Sequence, residues 1–190
     1  MHINSIGAGM YSDLSVADGT VPTDTQLALP ATAEAAFKAL FPANGAGTGE
    51  NEDYFRVKDV REFPAMGTPP NIVNVPVFGQ ASSQQIQGQS DAPSIELQIN
   101  YVAADWASGS DLGDMVGDGV SRVFRFTLLN SKPDSYGNVT GEIATVQNSQ
   151  YYWIGKIEAI QVTPNLTDAN TATISITIQS DFYGAYTVNP

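Results

Sequence analysis

The side chains that could do chemistry in this chain of 190 residues are few and poorly matched to one another. His2 is the only histidine and stands at a chain end, so a Ser-His-Asp arrangement has no base. A two-histidine zinc site is impossible for the same reason. The absence of cysteine removes disulfides, thiolate metal ligands and a cysteine nucleophile together. Asp111, Asp114 and Asp118 recur among glycines, and clustered oxygens suit calcium, but their spacing departs from the helix-loop-helix calcium loop. They read as exposed acids flanking a short helix. Glu50, Glu52 and Asp53 read as a solvated loop. A carboxylate pair cleaves a glycosidic bond only at a fixed separation, and among twenty acids suggestive pairs arise by chance. The glycine-rich run at 44–51 lacks the lysine of a phosphate loop and follows a helix rather than a strand. No catalytic residue, cofactor or metal is therefore expected. Trp106, Tyr151, Tyr152 and Trp153 could form a sugar-stacking platform. At strand starts such rings are more commonly core edge or subunit contact.

The charge balance narrows the partners. Eight Lys and Arg stand against twenty Asp and Glu, a formal net charge of -12. Gripping nucleic acid requires a basic track to neutralise phosphates, and none is present. The excess serves solubility, or a surface that must not adhere to a polyanion. Only 15% of residues are charged, so polarity comes from Ser, Thr, Asn and Gln, which suits sheet surfaces more than charged helices. No apolar run approaches the ~20 residues of a membrane span. Met1-His2-Ile3-Asn4 lacks the features of a signal peptide, so synthesis and assembly in a cytosol are expected.

Around these residues the elements fall into two parts. Residues 1–52 read as an arm with one weak strand near 10–16, a helix at 30–41 and a flexible loop. Thr32 is the expected helix cap, with Ala36, Phe37, Leu40 and Phe41 on one face. Residues 53–190 read as the β domain. Phe55 and Val57 open it, and 73–77 follow as a hairpin partner or neighbouring strand, with 80–93 as a connection or weak strand. Two segments alternate strictly. Ile95, Leu97, Ile99 and Tyr101 oppose Glu96, Gln98 and Asn100; Ala172, Ile174, Ile176, Ile178 and Phe182 oppose Thr173, Ser175, Thr177, Gln179 and Asp181. Such alternation specifies a sheet with one face on a core and one in water. Residues 106–118 suggest a short helix or turn, 122–129 a strand, and 131–150 a polar loop with one short strand near Ile143. Residues 151–162 form a long strand whose apolar phase shifts partway, with a bulge expected at Gly155. The sum is an α+β, mainly β chain: a β-sandwich or open barrel with one or two short helices.

From Asp53 onward the order of segments resembles the major tail tube proteins of long-tailed bacteriophages. Four stretches carry the resemblance: 54–60 with Phe63; 75–79 with 86–91 and 95–101; 111–119 ahead of 123–126; and 152–157 with 162–164 and 171–179. Together they span roughly two thirds of the chain, matching a pattern more than invariant residues; the insert at 30–51 departs from the simplest members. The resemblance implies a sandwich-like subunit closing into hexameric rings, with strands from each subunit lining a continuous inner barrel. It implies ring stacking through loops and terminal arms, a tape-measure protein inside during assembly, and tail-tip or terminator proteins at the ends. DNA would pass through without specific binding, in a virion tail assembled in the host cytoplasm. The lumen-facing candidates are then Glu96, Gln98 and Asn100, or Thr173, Ser175, Thr177 and Gln179; the subunit-contact candidates are Phe63, Tyr151, Tyr152 and Trp153. The segments 1–30, 64–71, 80–93 and 131–150 compete for the stacking contact. Two other readings stand beside this one: a glycan-binding β-sandwich using Tyr151, Tyr152 and Trp153, and a tail terminator or baseplate ring of the same fold.

Overall fold

The computed structural model describes residues 11–42, 54–67, 72–76, 78–79, 84–87, 94–129 and 149–187. The fold is mainly β, with an antiparallel sheet of eight strands and four short helices among these residues. The sheet comprises β1 (Asp13–Ala17), β2 (Tyr54–Val57), β3 (Val60–Glu62), β6 (Ser94–Asn100), β7 (Arg122–Leu128), β8 (Ser149–Thr163), β9 (Thr171–Ile178) and β10 (Tyr183–Thr187). Its hydrogen-bonded order is β2-β1-β7-β8-β9-β6-β3, with β10 also pairing β8. The two ends of this path are neighbours in sequence. Only Lys58 and Asp59 separate β2 from β3, and Asp59 takes a positive φ of 58°, which aspartate tolerates better than most residues. Its carbonyl accepts from the Asn100 N–H (2.8 Å). The sheet therefore curls until a covalent corner, not a ladder, joins its ends.

The inward faces of this curl share one core. Leu14 and Val16, Val57, Phe124 and Phe126, Trp153 and Ile157, Ile174 and Ile176, and Leu97 and Ile99 meet there. Phe124 stacks on Trp153 at 5.5 Å, and Phe182 leans on the same indole at 4.9 Å. Burying each large apolar side chain contributes roughly 1.5–3 kcal/mol before entropy is charged. Two one-turn helices, α3 (Ala103–Trp106) and α4 (Asp111–Asp114), add Trp106 and Leu112 to this core, and Met115 follows them.

Several elements differ from the sequence expectation. The weak arm strand is β1, fully buried and paired on both sides, to β2 and β7. Residues 13–17 thus belong to the sheet that the β domain builds, and the division at 52 does not separate two packing units. The helix is α2 (Pro30–Ala39), preceded by the turn α1 (Asp24–Leu27). Its cap is Leu29 with Pro30 in the first helical turn, and the Thr32 hydroxyl donates back to the Leu29 carbonyl (2.9 Å). Its buried residues are Ala33 and Phe37 rather than Ala36, with Phe41 just beyond.

Residues 72–75 pair not with 54–62 but with 84–87, forming a separate two-stranded sheet of β4 (Ile72–Val75) and β5 (Gln84–Gln87). The phase shift in β8 falls at Glu158, between Ile157 and Ala159, rather than at Gly155. Gly155 has a different reason to lack a side chain: a Cβ there would sit 2.5 Å from the Thr177 carbonyl oxygen. The short strand expected near Ile143 lies outside the described residues.

Candidate functional site, a bare polar sheet face

The outward side of the sheet divides into two halves. Across β2, β1, β7 and the start of β8 it is covered, and its polar groups are buried. Arg125 lies with its guanidinium 4.7 Å from the Phe41 ring centre and 4.8 Å from that of Tyr54. It donates to Ser15 Oγ (3.3 Å), Ser15 donates to Asp13 Oδ2 (3.0 Å), and Asp13 pairs with Arg56. Phe37 of α2 stacks on Tyr152 at 5.2 Å, and the Tyr152 hydroxyl donates to Gln150 Oε1 (2.8 Å). Burial pushes the Tyr152 phenol well above its ordinary value, against the nearby Arg125 charge.

The other half is bare. β3, β6, β9 and β8 beyond the Gly155 pair run side by side, and their ladders set the polar residues in rows. Ser94, Thr177 and Lys156 form one row, and Glu96, Ser175 and Ala159 the next. Glu62, Gln98, Thr173 and Gln161 form a third, and Asn100, Thr171 and Thr163 a fourth. The alternation in β6 and β9 is complete, with every apolar residue buried and every polar one half-exposed or exposed. The two sets of lumen candidates, more than seventy residues apart in sequence, are thus one surface on adjacent strands. Gln179 stands just past the end of β9 and accepts from the Ser121 hydroxyl (2.6 Å). A shallow depression of about 440 Å³ lies on this face, lined by Glu62, Pro64, Ser94, Glu96, Gln98 and Thr173. Glu62 and Glu96, with Glu158 in the bulge accepting from the Thr177 hydroxyl, outnumber the single ammonium of Lys156.

This half also has two open edges: among the described residues nothing pairs with the outer edge of β3, nor with the edge of β8 that faces away from β9 beyond Ile157. Backbone alternation identifies the open groups. The Ile154 carbonyl accepts from Gln179 on the β9 side, and the Ile157 carbonyl accepts from Gly117 on the other. Past the bulge, Ala159 and Gln161 face Ser175 and Thr173, so the peptide groups of Ile160 and Val162 point outward.

Glu62, Ser94, Lys156, Ala159, Gln161, Thr163 and Thr171 join this face without having been among the candidates read from sequence. Ser94 continues the β6 alternation and was legible there; the β8 residues were hidden by the bulge, which reverses the parity of the strand. The subunit-contact candidates divide. Tyr152 (1% exposed) and Trp153 (0%) are instead core residues of this chain, on opposite faces of β8, and present no surface to a neighbouring subunit. Phe63 and Tyr151 are half-buried, Phe63 lying 5.2 Å from Phe126. A sugar platform of Tyr151, Tyr152 and Trp153 is lost with that burial.

The recurrent aspartates close a turn. Ser110 Oγ caps α4 by accepting from the Gly113 N–H (3.2 Å), and Asp114 Oδ1 accepts from Gly109 (2.8 Å). Asp118 accepts from Val120 (2.8 Å) and pairs with Arg122 (2.7 Å). Burial works to raise the Asp118 carboxyl, but these two partners outweigh it and hold it below its ordinary value. No grouping of three or more potential metal ligands occurs among the described residues, and none of their helices is long and apolar enough to cross a membrane. His2, Glu50, Glu52 and Asp53 lie outside the described residues. Compared with known proteins, the chain matches no protein-family model and no curated sequence.

Proposed function

We propose that this chain is a structural subunit of a phage tail tube, closing into rings through its sheet edges and lining the bore with the bare polar face. The observation that carries the reading is the four-stranded polar face bounded by two open edges. Each of β3, β6, β9 and β8 runs opposite to its neighbour, so β3 and β8 themselves run in opposite directions. The β3 edge of one copy therefore meets the β8 edge of the next as an antiparallel pair, and the alternation continues around a ring without a break. An unprotected edge is a template for another chain, and closure removes it. Six copies, the number the resemblance implies, would set about 24 strands around the bore, and barrels of that size enclose water rather than side chains. Carboxylates in excess on that wall repel phosphates, letting DNA slide past without adhering.

The tape-measure, tail-tip and terminator partners belong to the same proposal, as does assembly in a host cytoplasm. A single-ring terminator or baseplate protein is the nearest alternative. Edge pairing suits it equally, and it differs by stopping at one ring. Electron microscopy of the concentrated protein is expected to show rings or stacked tubes, and a chain that stays monomeric at every concentration refutes the proposal. A sharper test is Val162→Pro, which removes an outward N–H from the open edge and leaves the β9 ladder intact. The variant is expected to fold with an unchanged circular dichroism spectrum and to form no rings. Normal rings from it would defeat the edge-pairing mechanism.

A further inference from the structure

The β4–β5 ribbon stands apart from the main sheet and carries Phe78 near its tip, with the ring fully exposed. Asn74, Val75 and Pro76, leading to that tip, are exposed as well. Among the described residues no third strand pairs with this ribbon; two strands alone are marginal in water, and an exposed aromatic near their tip adds a penalty unless something receives it. The same chain offers an apolar receptor. A hollow of about 330 Å³ is lined by Pro64, Met66, Phe126, Leu128, Tyr151 and Phe182, where the end of the core opens to solvent. Leu128 is 39% exposed at its rim, an unusual position for a leucine on a strand otherwise buried. Among the described residues no charged side chain lines this hollow, whereas Glu62 and Glu96 line the depression on the bare face, and Asp13, Arg56 and Lys58 are among the charged groups around the hollow beside β2 and β3.

We infer that Phe78 of one copy docks in the Pro64–Met66–Leu128–Tyr151 hollow of another copy. In this structure the ring does not enter the hollow of its own chain, since it is fully exposed. A knob and a hole carried by the same chain can make a heterologous contact, which propagates from copy to copy. Such a contact is suited to joining successive rings, while the β3 and β8 edges join neighbours within one. The inference deepens the assembly reading and rests on it for the presence of neighbouring copies, but apart from Pro64, which borders both hollows, it uses none of the residues of the polar face or its edges.

The test replaces Phe78 with the photoreactive analogue benzoyl-phenylalanine, which keeps the aromatic ring. Labelled and unlabelled copies are mixed so that intermolecular crosslinks can be recognised by mass. Crosslinks between copies to Met66, Leu128 or their neighbours in the hollow are expected. Crosslinks confined to other surfaces, or none at the highest soluble concentration, overturn the inference. In parallel, Phe78→Ser is expected to leave the thermal midpoint unchanged and to weaken self-association by roughly 10- to 150-fold, the loss from exposing one aromatic side chain. Unaltered stacking by that variant would reject the docking while leaving ring closure standing. Wild-type protein that never associates would remove both. Single rings that form normally but fail to stack in Phe78→Ser support both.

Discussion

The covered and bare halves of the sheet share a core but solve their outer surfaces in opposite ways. Under α2, the outward residues Ser15, Arg125 and Tyr152 are sealed from solvent, with hydrogen bonds linking Arg125 to Ser15, Ser15 to Asp13 and Tyr152 to Gln150, and with the rings of Phe37, Phe41 and Tyr54 packed against them. On β6 and β9 the outward Glu96, Gln98, Thr173 and Ser175 stand exposed or half-exposed, with no layer over them among the described residues. A sheet that can recruit a helix to one end does not leave the other end polar for want of apolar residues. The contrast leaves the polar half facing water, and its open edges are where the ring closure proposed above would add structure.

The largest expected effect belongs to the covered half. Phe37→Ala removes a ring with no exposure that stacks on Tyr152 and lies 5.0 Å from Tyr183. A cost of about 3–5 kcal/mol is expected, read as a lower denaturant midpoint with an unchanged slope. A loss under about 1 kcal/mol would mean that α2 is an accessory arm, as the sequence suggested, and not part of the fold.

A smaller effect tests the same layer through pH. Burial holds the Tyr152 phenol neutral, raising it above the ordinary value of 10.0. A group raised in the folded state lends its full stability below its unfolded value and loses it as pH climbs toward the folded one. The wild-type protein is therefore expected to lose stability progressively above about pH 10. Tyr183 and Tyr186 are raised too, by burial first and then by nearby carboxylates (Asp181 and Asp24 for Tyr183, Glu34 for Tyr186), with Tyr183 adding to the effect on Tyr186, so they retain part of this alkaline limb. Tyr152→Phe should flatten most of it, at a cost of about 1 kcal/mol near neutrality for the lost hydrogen bond to Gln150. An alkaline limb unchanged in the variant would place the sensitivity elsewhere.

The same contrast explains what could be read from residues alone. The bare half was legible because one buried face against one wet face imposes strict alternation, as in 95–101 and 172–178. The covered half was not, because burial on both faces erases that signal. β1 reads Asp-Leu-Ser-Val-Ala, a pattern of a weak edge, yet every one of the five is buried because Asp13 and Ser15 are paired beneath neighbours distant in sequence. Tyr152 and Trp153 were visible as aromatics but not as core, since consecutive residues of a strand are both buried only when both faces are covered. The β8 phase was lost at Glu158, where one extra residue exchanges the two faces. The hairpin partner of 72–75 was missed because Gln84-Gln85-Ile86-Gln87 carries little apolar signal of its own.

The smallest effect on stability is also the one that separates the halves most cleanly. Thr173 and Ser175 stand in the middle rows of the bare face, flanked by Gln98 and Glu96 across the ladder to β6. A lysine at either position has water above it and carboxylates beside it, so it adds neither a buried charge nor a clash. Thr173→Lys and Ser175→Lys are each expected to shift stability by no more than about 0.5 kcal/mol and to leave rings intact. What changes is the sign of the surface: two lysines per copy, repeated around a ring, would turn an electronegative wall into one that holds phosphates by counterion release, with an affinity that falls steeply as salt rises. On the proposed tail-tube role, particles carrying both substitutions should assemble normally but eject DNA slowly or incompletely, with partial rescue at higher ionic strength. Full infectivity would remove this face from the bore, and unfolding of either single variant would show that the bare half is covered after all.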